Sequence, residues 1–91
     1  MELPRIILRN ENFVWRIIDG EAILMSPYGR RLHALNEVGT FIWELADGSK
    51  SIDKIIERIC KEYEVERSIA QKDVRAFAEK LLAINALIPG S

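Results

Sequence analysis

The 91-residue chain reads as an α+β fold, winged-helix-like, with a three-stranded antiparallel sheet followed by three helices. Three observations predict it. Short β-branched and aromatic runs joined by tight turns fill the first third of the chain. Three stretches with apolar residues at i, i+3, i+4 and i+7 fill most of the rest. Between them lies LNEVGTFIWELADG, Leu35 to Gly48, which combines a strand end, an Asn cap, a short amphipathic helix and a glycine stop. At that junction a small sheet must pack on a small helical bundle.

The first strand is Phe13–Ile18, FVWRII, short and rich in residues that suit a pleated surface. Asp19-Gly20 comes next, the pair that best satisfies a type I′ turn, whose two central residues both need positive φ. Glu21–Met25 is the returning strand. Ser26-Pro27-Tyr28-Gly29-Arg30 is a loop, and Arg31–Leu35, RLHAL, is a third short strand. Residues 1–12 are an arm or an edge strand, because Pro4 opposes an early helix and Arg5–Arg9 is extended in character.

Asn36 is suited to cap the first helix, with Glu37 favourably placed in the helix dipole. Val38, Phe41, Ile42 and Leu45 form its apolar stripe, and Asp47-Gly48 is expected to end it with Gly48 left-handed. Ser51 caps the second helix, whose stripe is Ile52, Ile55, Ile56, Ile59, Cys60 and Tyr63. Ser68 is expected to cap a third helix running to about Asn85, with Ala70, Val74, Phe77, Ala78, Leu81 and Leu82 on its apolar face. Leu87-Ile88 then tucks back on the core.

Length allows one domain, residues 1–91, and not two cores. A hydrophobic fraction of 48% beside 30% charged residues is that of an ordinary soluble chain. No apolar run approaches the ~20 residues of a membrane span, and MELPRIILRN is too short in apolar character for a secretory signal. A single cysteine fits a reducing compartment, so a cytoplasmic location is the expectation. Oligomeric state is open, since Ile6-Ile7-Leu8 could swap or pair between chains, giving a homodimer.

Catalysis finds no support. His33 is the only histidine and lacks partners for a metal site, so neither a metal nor another cofactor is expected. Cys60 lies on an apolar stripe with no base in evidence. The carboxylates scatter over helix surfaces in pairs such as Glu57–Lys61. No phosphate loop or nucleophile elbow is present. The chain is expected not to be an enzyme.

Two binding functions compete. A winged-helix transcriptional regulator would read DNA with the third helix, which carries Arg67, Lys72, Arg75 and Lys80. Glu66, Asp73 and Glu79 interleave with these, and the chain carries a net charge of −1. The basic excess that drives nucleic-acid binding is missing. The alternative is a peptide partner: RLHAL, if it lies at the sheet edge, could accept an extended peptide as a further strand.

The residues Leu35-Asn36, Gly39, Ile42-Trp43, Leu45, Asp47-Gly48, Ile52, Ile56, Tyr63, Val65, Asp73-Val74, Phe77, Leu81-Leu82 and Leu87-Ile88 closely resemble the pattern of the PqqD-like proteins. These are also called RiPP precursor recognition elements, and the likeness runs from about Trp15 to Ile88. Asn85-Ala86 departs from the pattern, which usually has a glycine there; Asn85 is itself able to adopt a left-handed conformation.

The resemblance implies a stand-alone domain that binds the leader segment of a ribosomally made precursor peptide. The leader would add to the third strand in the cleft against the third helix. It would then be presented to a partner enzyme, a radical S-adenosylmethionine protein or a leader peptidase. Carried onto this chain, the strand side of the site is Arg30, Arg31, Leu32, His33, Ala34 and Leu35. The helix side is Asp73, Ala76, Phe77, Lys80, Leu81 and Ile84, with Arg31 and Lys80 placed to meet leader carboxylates.

Overall fold

The computed structural model describes residues 2–90. Its β2 (Val14–Ile18) and β3 (Glu21–Met25) form the expected hairpin, closed by Asp19 and Gly20 at φ 51° and 82°. A single 3-10 turn, Pro27–Gly29, leads to β4 (Leu32–Ala34), which pairs antiparallel with β3. The sheet order is β2-β3-β4, so β4 lies at an edge. Three helices complete the layer: α1 (Glu37–Leu45), α2 (Ile52–Tyr63) and α3 (Arg67–Ala83). The fold is thus α+β, with a three-stranded antiparallel sheet and three helices.

A second sheet was not legible in the sequence. Residues Ile6–Arg9 form β1, the central strand between β5 (Asp47–Ser51) and β6 (Leu87–Gly90). The expected arm is therefore a strand with both edges paired inside the chain. Ile7 at its centre is fully buried, as is Leu87 on β6. Neither flanking strand announces itself. β5 reads DGSKS, a turn composition, and is extended because β1 pairs with it across an irregularity that holds Gly48 at φ 86°. A Cβ on Gly48 would meet Leu8 Cδ1 at 3.0 Å. β6 contains Pro89, tolerable because an edge strand can spare a donor.

The helix boundaries and faces need three corrections. First, α1 stops at Ala46, whose N–H donates to the Trp43 carbonyl, so Asp47-Gly48 opens β5 and does not end the helix. The Arg9 guanidinium, reaching across from β1, donates 2.8 Å bonds to the carbonyls of Trp43 and Glu44. A cation there satisfies orphan acceptors and complements the helix dipole.

Second, the buried residues of α1 are Gly39, Thr40, Ile42 and Trp43, while Val38, Phe41 and Leu45 are half-buried. The helix contacts β3 and α2, so it is covered on two flanks and not along one stripe. Trp43 meets Trp15 edge to face at 5.9 Å, and Arg9 lies 5.4 Å over the Trp15 ring. Third, α3 starts one residue before Ser68. Its cap is Glu66, whose carbonyl accepts from Ile69 and Ala70 while its side chain makes no cap bond.

Other expectations hold. Asn36 accepts from Gly39 N–H at 2.8 Å and Ser51 from Lys54 N–H at 3.2 Å. Ile52, Ile55, Ile56 and Ile59 are buried, whereas Cys60 is only half-buried. Asn85 takes φ 63°, and beyond it Ala86 N–H reaches Leu81 O while Asn85 N–H reaches Leu82 O. That pair of bonds is the Schellman closure a glycine would ordinarily provide. On α2, Glu57 pairs with Lys54 at 3.5 Å and not with Lys61.

Candidate functional site

The site is built on the exposed edge of β4. Ser26 N–H donates to Arg31 O at 2.9 Å, and Leu35 N–H donates to Ala22 O at 2.8 Å. Residues 31 and 35 therefore turn their backbone groups towards β3, as does His33, which stands opposite Leu24. In an antiparallel ladder the alternate residues face the other way. Leu32 and Ala34 thus direct N–H and C=O outward, and no other strand pairs with them among the described residues.

The edge is held in place by α1. Thr40, 4% exposed, accepts from the Ala22 N–H through Oγ1 at 2.8 Å, and its hydroxyl lies 3.5 Å from Leu35 O. A helix side chain thus stands in for the last rung of the β3–β4 ladder.

Beyond Leu35 the chain enters a cavity of about 260 Å³, lined by Asn36, Val38, Gly39, Ile42, Asp73, Ala76 and Phe77. Gly39 keeps it open. A Cβ at that position would meet Phe77 Cε2 at 3.1 Å and Asn36 Oδ1 at 3.2 Å. The cavity joins the N-terminal half of α1 to one flank of α3.

The residues anticipated from sequence divide into four groups. Arg30, Arg31, Leu32 and Ala34 are exposed along the edge, while His33 is half-buried and Leu35 is 9% exposed. Asp73, Ala76 and Phe77 come together in the cavity. Lys80 is exposed and Ile84 half-buried farther along the same flank, given ~100° of turn per residue. Leu81 is 1% exposed and belongs to the core with Ala70, Val74 and Ala78, so it is removed from the lining.

Asn36, Val38 and Ile42, which spacing assigned to cap and core, are also lining residues, as is Gly39, which entered only through the family pattern. Gly39 was the available signal, since glycine inside a helix costs about 1 kcal/mol against alanine and so calls for a reason.

Among the described residues there is no cluster of three or more His, Cys, Asp or Glu side chains that could hold a metal, and no helix long and apolar enough to cross a membrane. The family model described as coenzyme PQQ synthesis protein D (PqqD) matches residues 21–87. The chain belongs to the PqqD family. The matched span runs from β3 to the start of β6, so it takes in the PqqD sheet edge, the cavity and all three helices.

Two solved structures are similar to this PqqD domain. One is TbiB1 in complex with the TbiA(beta) leader peptide, with 30% identity and a TM-score of 0.80 over 88% of this chain and 93% of that one. The other is a lasso peptide synthetase B1 complexed with the leader peptide, with 20% identity and a TM-score of 0.80 over 91% and 98%. No curated protein sequence matches the chain.

Proposed function

We propose that this PqqD domain binds the leader segment of a ribosomally synthesised precursor peptide and presents it to a modifying enzyme or leader peptidase. The leader adds as a strand to β4 beside α3. The observation that carries this reading is the unpaired edge at Leu32 and Ala34 running into the cavity between α1 and α3. The similar TbiB1 structure, which contains a leader peptide, supports it.

The backbone of Leu32 and Ala34 supplies bonds indifferent to the peptide's sequence, each worth ~0.5–1.5 kcal/mol net. Selectivity comes from one apolar leader side chain seated in the cavity against Phe77, with Asp73 at its polar margin. Arg30 and Arg31 at one end of the edge, and Lys80 on α3, attract leader carboxylates. Because a short strand offers few bonds and ordering a peptide costs some of them back, affinity near micromolar is expected. Such a complex releases its cargo readily. The domain itself performs no chemistry in this reading and works in the cytoplasm.

Isotope-labelled protein titrated with a panel of synthetic precursor leaders, the TbiA(beta) leader among them, tests the proposal. Backbone amide shifts should concentrate at Leu32 and Ala34 and around Gly39 and Phe77. Shifts confined to β1 or α2, or saturable binding of duplex DNA without leader binding, would overturn it.

A further inference from the structure

Tyr28 is the one aromatic residue of the turn between β3 and β4, and it is 95% exposed. Its backbone lies at φ 69° and ψ 13°, in the left-handed region. Asp19 and Asn85 also take positive φ, but their short polar side chains tolerate it, whereas a bulky aromatic there is an outlier. Such a residue persists only where its surroundings impose the conformation. Here they do. Gly29 N–H donates to Ser26 O at 3.0 Å, Arg31 N–H to Ser26 Oγ at 2.9 Å and Ser26 N–H to Arg31 O at 2.9 Å. Pro27 fixes the entry to the turn. A clamped turn thus holds a tyrosine in a strained conformation with its side chain in solvent. The strain weakens the fold and burial of the ring does not offset it, so the compensating contact lies in a partner.

Position and size select that partner. The Ser26–Arg31 bonds continue the β3–β4 pairing up to the turn, so a strand added along Leu32 and Ala34 runs on towards Tyr28. Arg30 and Arg31, both exposed, follow Tyr28 at that same end and make no ion pair among the described residues. Tyrosine and arginine are residue types that carry much of the energy at interfaces. A lone turn is far smaller than the ~800 Å² per partner of a stable protein–protein interface, so by itself it holds neither a second copy nor an enzyme. Two copies meeting there would also oppose two Arg30-Arg31 pairs. A peptide already paired with β4 needs no such area, because its next residues are kept beside the ring at high effective concentration. The few outward backbone groups of Leu32 and Ala34 leave such a contact much of the affinity to supply.

The inference rests on the leader-binding reading and adds a specificity determinant to it. We propose that Tyr28 is a leader contact beyond the paired strand, its ring packing on an apolar or aromatic leader side chain whose neighbouring carboxylates meet Arg30 and Arg31. Leaders are then distinguished by what flanks the segment on β4 as well as by the residue in the cavity.

The test uses the full chain and a panel of synthetic leaders, the TbiA(beta) leader among them, with binding read by fluorescence anisotropy. Tyr28→Asn removes the ring and suits the left-handed backbone, so its thermal unfolding midpoint should equal or exceed that of wild type. Its leader affinity should nevertheless fall about fivefold or more, whereas Tyr28→Phe should stay within about twofold. Alanine substitutions along the bound leader should locate one apolar or aromatic residue, outside the segment paired with β4, whose loss abolishes the difference between wild type and Tyr28→Asn. A lowered unfolding midpoint in Tyr28→Asn would overturn the proposal, since the ring would then be stabilising the fold. So would a wild-type dimer, seen by sedimentation, that Tyr28→Asn dissociates. Equal leader binding by wild type and Tyr28→Asn sinks this inference and leaves the leader-binding reading intact. If wild type binds none of the leaders, that reading has failed and this one with it.

Discussion

The Thr40 hydroxyl accepts a 2.8 Å hydrogen bond from the Ala22 N–H, joining the middle of α1 to the start of β3 at the point where β4 gives out. This bond couples the helix that lines the cavity to the sheet that offers the edge. Thr40→Val keeps the shape and leaves the buried Ala22 N–H without an acceptor. We expect a loss of about 1–3 kcal/mol in urea unfolding, with Thr40→Ser losing less. Equal stability of the valine variant would show that the bond contributes nothing net.

Gly39 trades helix stability for space. Gly39→Leu removes an intrinsically poor helix residue but fills the cavity against Phe77 and Asn36. Helical circular dichroism should be retained while leader affinity falls by about tenfold or more, about 1.4 kcal/mol. Undiminished leader binding would place the anchor side chain elsewhere.

The Arg9 guanidinium ties β1 to the end of α1, Nη1 donating to the carbonyls of both Trp43 and Glu44, and it lies over Trp15. Arg9→Lys keeps the charge but loses the planar guanidinium that stacks over Trp15 while Nη1 serves both carbonyls. It should lower stability by about 1 kcal/mol, and Arg9→Ala by about 1.5–3 kcal/mol, since hydrogen bonds to charged groups are the stronger kind. Thermal unfolding of the two variants side by side checks the order.

Ile7 lies on the strand that both β5 and β6 need. Ile7→Ala should cost about 2–5 kcal/mol, a large share of what a domain of this size possesses. If residues 1–12 were a detachable arm, the change would be nearly silent in a denaturant titration.

Asp47 at the start of β5 accepts from the Ser49 hydroxyl at 2.6 Å and the Ser49 N–H at 2.9 Å, with Lys50 at 3.4 Å. The Ser49 side-chain bond first, then its backbone bond, hold the carboxyl well below the usual carboxylate range. A depressed folded-state pKa gives stability that is fully present above the unfolded value of 3.8 and lost as pH falls below it. Asp47→Asn should lower the melting temperature slightly at neutral pH, since the carboxylate is exposed, and converge on wild type in acid, so that the acid limb below about pH 4 is flatter.

Much of this architecture was readable because local chemistry dictated it. Asp19-Gly20 can hardly avoid a type I′ turn, Asn36 and Ser51 cap the helices that begin just after them, and the isoleucines of α2 have only one face to bury. The edge strand and its neighbours were readable for the same reason, since β4 comes after a loop and ends at a cap. Sequence by itself therefore determined the hairpin, the third strand, the three helices and the family likeness, while the sheet order decided that β4 lies at an edge.

What only the tertiary structure decided came from pairing between distant segments. DGSKS has no strand pattern, and LIPG contains a proline; they are strands because Ile6–Arg9 lies between them and bonds to both. Burial obeyed the same logic. Trp43 and Thr40 are inside because α1 is covered from two sides. Backbone hydrogen bonds across dozens of residues carry no periodic signature, so the second sheet and the final lining of the cavity could be known only after the chain had folded on itself.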